Sequence, residues 1–253
     1  MSLLHTERVS KAFGGLRAVD EVDFQLAAGT IAGIIGPNGA GKTTFFNLIS
    51  RALPVTGGRI VFDGQEVTSL AAHQVSRLGI ARTFQTTTVF ADASAIENVM
   101  VGYHRRMRAG VWDALLHTAR LAREESEARS AARDALRLVD LVERQDEPAR
   151  RLTQEQQKRL AMAIALAAQP RLLLLDEPSA GISHEQTRGL IALIERIAAT
   201  GITICLIEHQ MPMVMQLCQR ITVLDYGKKI AEGTPEEIRA DPAVLDAYLG
   251  GHA

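Results

Sequence analysis

The sequence predicts an α/β fold built on a parallel sheet covered by helices on both faces. From Arg171 onward, short apolar runs alternate with helical patterns, as expected for parallel strands joined by crossover helices. A G-x-x-x-x-G-K-T pattern begins at Gly36, between a strand-like run and a helical one. A run of four leucines, Leu172 through Leu175, ends abruptly on Asp176 and Glu177, so charge collects at the end of a strand that is otherwise apolar.

The chain has 253 residues, 47% of them hydrophobic and 23% charged, enough to bury a sizeable core. Disorder, collagen and small disulfide scaffolds are excluded. Its 28 Lys and Arg against 29 Asp and Glu leave a formal charge of −1, which gives no general pull toward nucleic acid or anionic membrane. Cys205 and Cys218 lack the paired spacing of a zinc site and read as buried thiols in a reducing compartment. The opening residues have no apolar stretch fit for a signal peptide, and no run approaches a membrane span, so a cytoplasmic protein is expected.

The elements follow in order. Residues 3–9, 19–26 and 30–35 read as strands, the second with Asp20, Glu21 and Asp23 pointing outward. A helix runs from Lys42 to about Arg51. Arg59, Ile60, Val61 and Phe62 then lead into Asp63-Gly64, a dipeptide suited to a tight hairpin turn. Residues 94–168 carry no strong strand signal and form a helical insertion, with Leu115, Ala119, Ala122, Ala128, Ala132, Ala135, Leu138 and Val142 at helical spacings. Its charges, including Arg123 with Glu127 and Glu125 with Arg129, read as a solvated face. Beyond it come a strand at 172–175, a helix at 185–199, a strand at 202–207, a helix near 211–218 and a strand at 221–224. Thr234-Pro235 and Asp241-Pro242 each place a capping residue before a proline, so two short helices close the chain.

The glycine-rich loop carries the first chemistry. Gly36, Pro37, Asn38, Gly39, Ala40, Gly41, Lys42 and Thr43 match the phosphate-binding (P-loop) pattern in full, and average residue usage would produce its fixed positions in such a chain roughly one time in a hundred. Backbone N–H groups at a helix N-terminus can cradle phosphate oxygens, Lys42 can reach the β and γ phosphates, and the Thr43 hydroxyl suits Mg²⁺. Thr44 is either a second such hydroxyl or an ordinary helix residue. Asp176 is placed to hold Mg²⁺, and Glu177 to act as general base on an attacking water.

These passages together resemble the ATP-binding cassette family over nearly the whole length, in particular the ATP-binding subunits of branched-chain amino acid importers. Lipopolysaccharide-transport and urea-importer cassettes are near neighbours. The resemblance rests on residues 13–19 (Phe-Gly-Gly-Leu-Arg-Ala-Val), 35–44, 82–85 (Arg-Thr-Phe-Gln), 96–98, 207–209 (Ile-Glu-His) and 233–238. It implies a RecA-like parallel-sheet core with an N-terminal antiparallel β subdomain and a helical subdomain. The expected division is 1–85 for the β subdomain and first part of the core, 86–167 for the helical subdomain, and 168–253 for the rest of the core. By this resemblance Phe13 stacks on adenine, although the residue alone could equally be a core aromatic. Gln85 touches Mg²⁺ and the γ-phosphate region, His209 contacts the γ-phosphate and orients the attacking water, and residues 86–98, with Val89 and Phe90, receive a coupling helix.

The implied partners are membrane-spanning permease subunits, a second cassette and, indirectly, a periplasmic solute-binding protein. ATP and Mg²⁺ are the implied cofactors, nucleic acid is not a partner, and the location is peripheral on the inner face of the cell membrane. One passage departs from the family. Its Leu-Ser-Gly-Gly-Gln signature falls on Leu152, Thr153, Gln154, Glu155 and Gln156, without either glycine, and residues 163–166 lack the arginine often found there. Thr153 and Gln156 still make a capping box. Glu155 could bring an anion toward the γ-phosphate, where unit charges at ~4 Å repel by ~4 kcal/mol at an intermediate dielectric. Ser183 stands where Asp or Asn is usual. The departure points to a heterodimer in which another cassette supplies an intact signature, with a homodimer as the alternative. A competing reading is a cassette that closes on ATP with little hydrolysis.

Overall fold

Two sheets carry the fold, and a computed structural model describes residues 2–83, 89–103, 113 and 118–249 of it. Strands β1 (Ser2–Phe13), β2 (Leu16–Ala27), β4 (Gly57–Phe62) and β5 (Gln65–Glu66) form an antiparallel sheet in the order β2-β1-β4-β5. The expected hairpin forms at Asp63 and Gly64, whose φ angles of 50° and 76° are those of a tight turn matched to strand twist.

The second sheet has the order β10-β9-β3-β8-β7-β6 and comprises β3 (Ile31–Ile35), β6 (Ile80–Arg82), β7 (Leu172–Asp176), β8 (Thr203–Ile207), β9 (Arg220–Asp225) and β10 (Lys228–Gly233). All its pairings are parallel except β9 with β10. Every residue of β3, β7 and β8 is buried. Alternate side chains serve different cores: Leu173 and Leu175 pack with the helices on one face, whereas Leu172 and Leu174 pack with Phe45, Phe46 and the antiparallel sheet on the other. That double duty is why these strands read as unbroken apolar runs.

Helix α1 (Lys42–Ile49) follows β3, and the short α2 (Ala72–Arg77) precedes β6. The insertion is helical as expected, with α3 (Ala95–Tyr103), α4 (Ala119–Leu138) and α5 (Gln154–Ala167) packed on one another. Ala128, Ala132 and Ala135 of α4 are buried, Val142 lies in a separate 3-10 turn, and Leu115 is outside the described residues. Arg123 pairs with Glu127 at 3.0 Å, but Glu125 and Arg129 do not pair. Instead, Arg129 lies close enough to Glu97 to help lower that carboxyl's pKa, after the larger effect of hydrogen bonds from Ser94.

Helices α6 (His184–Ala199) and α7 (Met211–Leu217) cover the same face of the sheet as α5, and α8 (Pro235–Ala240) and α9 (Pro242–Leu249) close the described chain. Thr234 caps α8 in a capping box with Glu237, and Asp241 accepts the Ala243 N–H at 2.8 Å. Cys205 and Cys218 are free and buried; burial pushes the Cys218 thiol up to about 12 and the Cys205 thiol well above its ordinary value, so both are unreactive.

Strand β10 was absent from the sequence expectation. It is an antiparallel edge strand carrying Lys228, Lys229 and Glu232, so it has neither the apolar run nor the clean alternation of its neighbours. Because Leu174 is fully buried on β7, between β6 and β8, Leu174→Ala should destabilise the protein by about 2–5 kcal/mol in denaturant unfolding. Leu16→Ala, at an exposed position, should change stability by no more than about 0.5 kcal/mol.

Candidate functional site

The C-terminal ends of β3, β8 and β7, adjacent in that order, bring the candidate residues together. Strand β3 stops at Ile35 and α1 starts at Lys42, so residues 36–41 form a tight loop between them. Gly36 and Gly41 have φ angles of 145° and 96°, and an added Cβ would lie 2.0 Å from the Leu224 carbonyl oxygen and 2.2 Å from that of Ala18. Packing against β9 and β2 therefore demands glycine at both. Gly39, at φ 82°, needs glycine for its conformation alone, since a Cβ there would meet nothing within 4 Å. The loop is thus anchored at both ends and open in the middle.

No side chain caps the start of α1, in contrast to the capping boxes of α5, α6 and α8. Its first N–H groups are left for an anion, in the favourable field of the helix dipole. Lys42 is buried, and its Nζ donates to the Gly36 and Pro37 carbonyl oxygens at 2.7 and 2.8 Å. Burial lowers its pKa, while the charges of Glu177 and Asp176 act in the opposite sense. Thr43 is exposed at the first turn and Thr44 is half-buried.

Asp176 closes β7 and is buried. Its Oδ2 accepts from Arg82 Nη2 at 2.7 Å, and its Oδ1 is buried without a hydrogen-bond partner. Glu177 follows at φ 46°, a left-handed conformation unusual for this residue type, with its N–H donating to the Ile207 carbonyl at 2.9 Å. His209 lies just beyond β8 with its side chain 57% exposed. Gln85 and the rest of residues 84–88 lie outside the described residues, so its predicted place is not among these geometries.

Sequence reasoning missed Glu208. This carboxylate is fully buried and accepts from the backbone N–H groups of Ser179, His209 and Gln210 at 3.1, 2.8 and 3.1 Å; its Oε1 also lies 3.3 Å from His209 Nδ1. It ties the loop after Glu177 to the loop of His209. A glutamate next to five buried strand residues was the available signal.

Phe13 ends β1 opposite Leu16, 47% exposed with Lys11 Nζ 5.0 Å from its ring centre, so it is not a core aromatic. Thr153 and Gln156 form the expected capping box. Glu155 is drawn along α5 into an ion pair with Arg159, which Asp140 also holds at 2.9 Å, so its charge is locally compensated. Gln154 packs on Gly181, in the loop after Glu177, and Lys158 Nζ donates to the Pro178 carbonyl of that loop at 3.0 Å. Ser183 caps α6 through a capping box with Gln186.

Comparison with known proteins is consistent with this geometry. The family described as ABC transporter matches residues 19–180, and the one described as branched-chain amino acid ATP-binding cassette transporter matches residues 228–253. The chain is 39% identical to the high-affinity branched-chain amino acid transport ATP-binding protein BraF of Pseudomonas aeruginosa and 40% identical to LivG of Escherichia coli, over 98% of each chain. Among solved structures, a nucleotide-free ATP-binding cassette from an ABC transporter superposes with a TM-score of 0.86 at 30% identity, covering 99% of this chain and 100% of the other. The ADP conformation of an ATP-binding cassette of an ABC transporter matches with the same score and identity, covering 99% of each chain.

Lys42→Ala should abolish tight nucleotide binding in isothermal titration while leaving the fold intact by circular dichroism. Unchanged affinity would contradict the loop geometry as a phosphate cradle.

Proposed function

The chain belongs to the ABC transporter family of ATP-binding cassettes, and on that premise we propose that it hydrolyses ATP to power import of branched-chain amino acids through membrane-spanning permease subunits. The observation that carries this reading is the meeting of Lys42, Asp176, Glu177 and His209 at the ends of three neighbouring strands. Its substrate class rests on the BraF and LivG relatives and on the match at residues 228–253.

The residues present fit a Mg–nucleotide. Loop 36–41 and the uncapped start of α1 would receive phosphate oxygens, and Lys42, now on the Gly36 and Pro37 carbonyls, would turn to the β and γ phosphates. Asp176, with an unpartnered buried Oδ1, and the exposed Thr43 hydroxyl suit Mg²⁺, with Gln85 a third candidate. When bound, that ion neutralises charge developing on the phosphates. Glu177 takes a proton from the attacking water as general base, and His209 contacts the γ-phosphate and orients that water. Phe13, exposed at the end of a hairpin whose Ala18 touches Gly41, is available to stack on adenine.

Residues 153–156 would face a nucleotide bound to a second cassette. Gln154 and Glu155 add bulk where the family has glycine, which supports a heterodimer in which a partner with an intact signature completes the active site. The retained Glu177 and His209 weigh against a cassette that merely binds, since binding requires neither. Phe90, ahead of α3, and Val101, on it, are exposed apolar residues and support permease docking there, with attachment to the inner membrane face through that partner. Among the described residues, no helix is long and apolar enough to cross a membrane.

Hydrolysis of Mg-ATP, measured on the purified protein alone and with a cassette carrying the full signature, tests the reading. Glu177→Gln should lower turnover by roughly 10²–10⁴-fold while preserving nucleotide affinity. Hydrolysis by the variant at the wild-type rate would refute the role of Glu177.

A further inference from the structure

Arg82 has no part in the hydrolytic scheme, yet it makes the deepest ion pair among the described residues. Its side chain is 6% exposed and that of its partner Asp176 1%. It stands on β6 in register with Leu174 of β7, two residues short of the carboxylate it reaches. One arm of the guanidinium, Nη2, donates to Asp176 Oδ2 at 2.7 Å. The other, Nη1, donates to Asn47 Oδ1 at 2.5 Å and approaches Ser50 Oγ at 3.5 Å. The guanidinium carbon lies 5.8 Å from the centre of the Phe46 ring. Asn47 and Phe46 belong to α1, the helix that starts at Lys42, and Ser50 is its C-cap. Arg82 therefore joins β6, the end of β7 and the phosphate-loop helix through one planar group.

Such a pair is a poor device for stability alone, because the desolvation of two buried charges offsets most of their attraction. Its geometry is informative in another way. Of the two Asp176 oxygens, Arg82 engages Oδ2, and Oδ1 is left buried and unpartnered, a state that is unfavourable unless something else is to occupy it. A fork with two fixed donor directions can hold Asp176 in one orientation relative to Asn47, which a single ammonium cannot do.

We propose that Arg82 is a positioning residue for the divalent cation: it fixes the Asp176 carboxylate against α1 so that Oδ1 remains available to the metal or its water. The inference rests on the reading of Asp176 as a metal-holding group. Groups that orient a metal-binding side chain without touching the metal commonly change metal affinity by about 10–100-fold when replaced.

The test is the affinity of the full chain for a non-hydrolysable ATP analogue as a function of Mg²⁺ concentration, in the wild type, Arg82→Lys, Arg82→Met and Asp176→Asn, each checked for folding by thermal melting. Arg82→Lys keeps the buried charge and provides a folded variant if Arg82→Met does not fold. The expected result is unchanged metal-free affinity for Arg82→Lys, with the Mg²⁺ concentration for half-maximal tightening raised by about 10–100-fold. Asp176→Asn should remove most of the Mg²⁺ dependence. If Asp176→Asn retains wild-type Mg²⁺ dependence, the metal role of Asp176 fails and takes the inference with it. If Asp176→Asn loses that dependence while Arg82→Lys keeps the wild-type midpoint, the role of Arg82 alone is overturned. An equal loss of metal-free and Mg²⁺-dependent affinity in Arg82→Lys would make Arg82 a structural residue and also overturn the proposal.

Discussion

The fold depends on the two-sided burial of β3, β7 and β8. Each strand must be apolar on both faces, because alternate residues enter different cores, and full burial of a leucine or isoleucine contributes about 1.5–3 kcal/mol. Polar chemistry has no place along such strands and is displaced to their ends. Because the three strands are parallel neighbours, those ends coincide, and Lys42, Asp176, Glu177, Glu208 and His209 are brought together by the same constraint that forms the core.

Close packing also decides how the site can move. Gly36 and Gly41 press against the backbone of β9 and β2, so the phosphate loop is held by the sheets while Gly39 stays open. The loops beyond β7 and β8 are less independent than the sequence suggests. Glu208 binds the Ser179 N–H on one and the His209 N–H on the other, and Lys158 reaches the first from α5. Helix α5, which starts after Thr153, is thereby linked by hydrogen bonds to the segment that follows Glu177.

Much of this was legible in the sequence where a local rule and a long-range constraint agree. The loop from Gly36 to Thr43, the leucine run ending on Asp176 and Glu177, the Asp63-Gly64 hairpin and the Thr153 capping box all obey such rules. Strand β10 was not legible because its edge position frees it from an apolar pattern and fills it with charge. Glu208 and Arg82 escaped for a related reason: each is a buried charged residue satisfied in part by a group distant in sequence, the Ser179 N–H for one and Asp176 for the other. Spacing along the chain holds no record of such pairings. The Glu125–Arg129 pair failed conversely, since helical spacing permits a contact but a neighbouring helix competes for the same charge.

The central claim is that the strand ends form one nucleotide-binding surface. Backbone amide hydrogen exchange of the full chain, with and without Mg-nucleotide, tests it most directly. The account predicts added protection concentrated at residues 36–44, with smaller effects at 176–179 and 208–210. Unchanged exchange at 36–44, or protection confined to other parts of the chain, would contradict it.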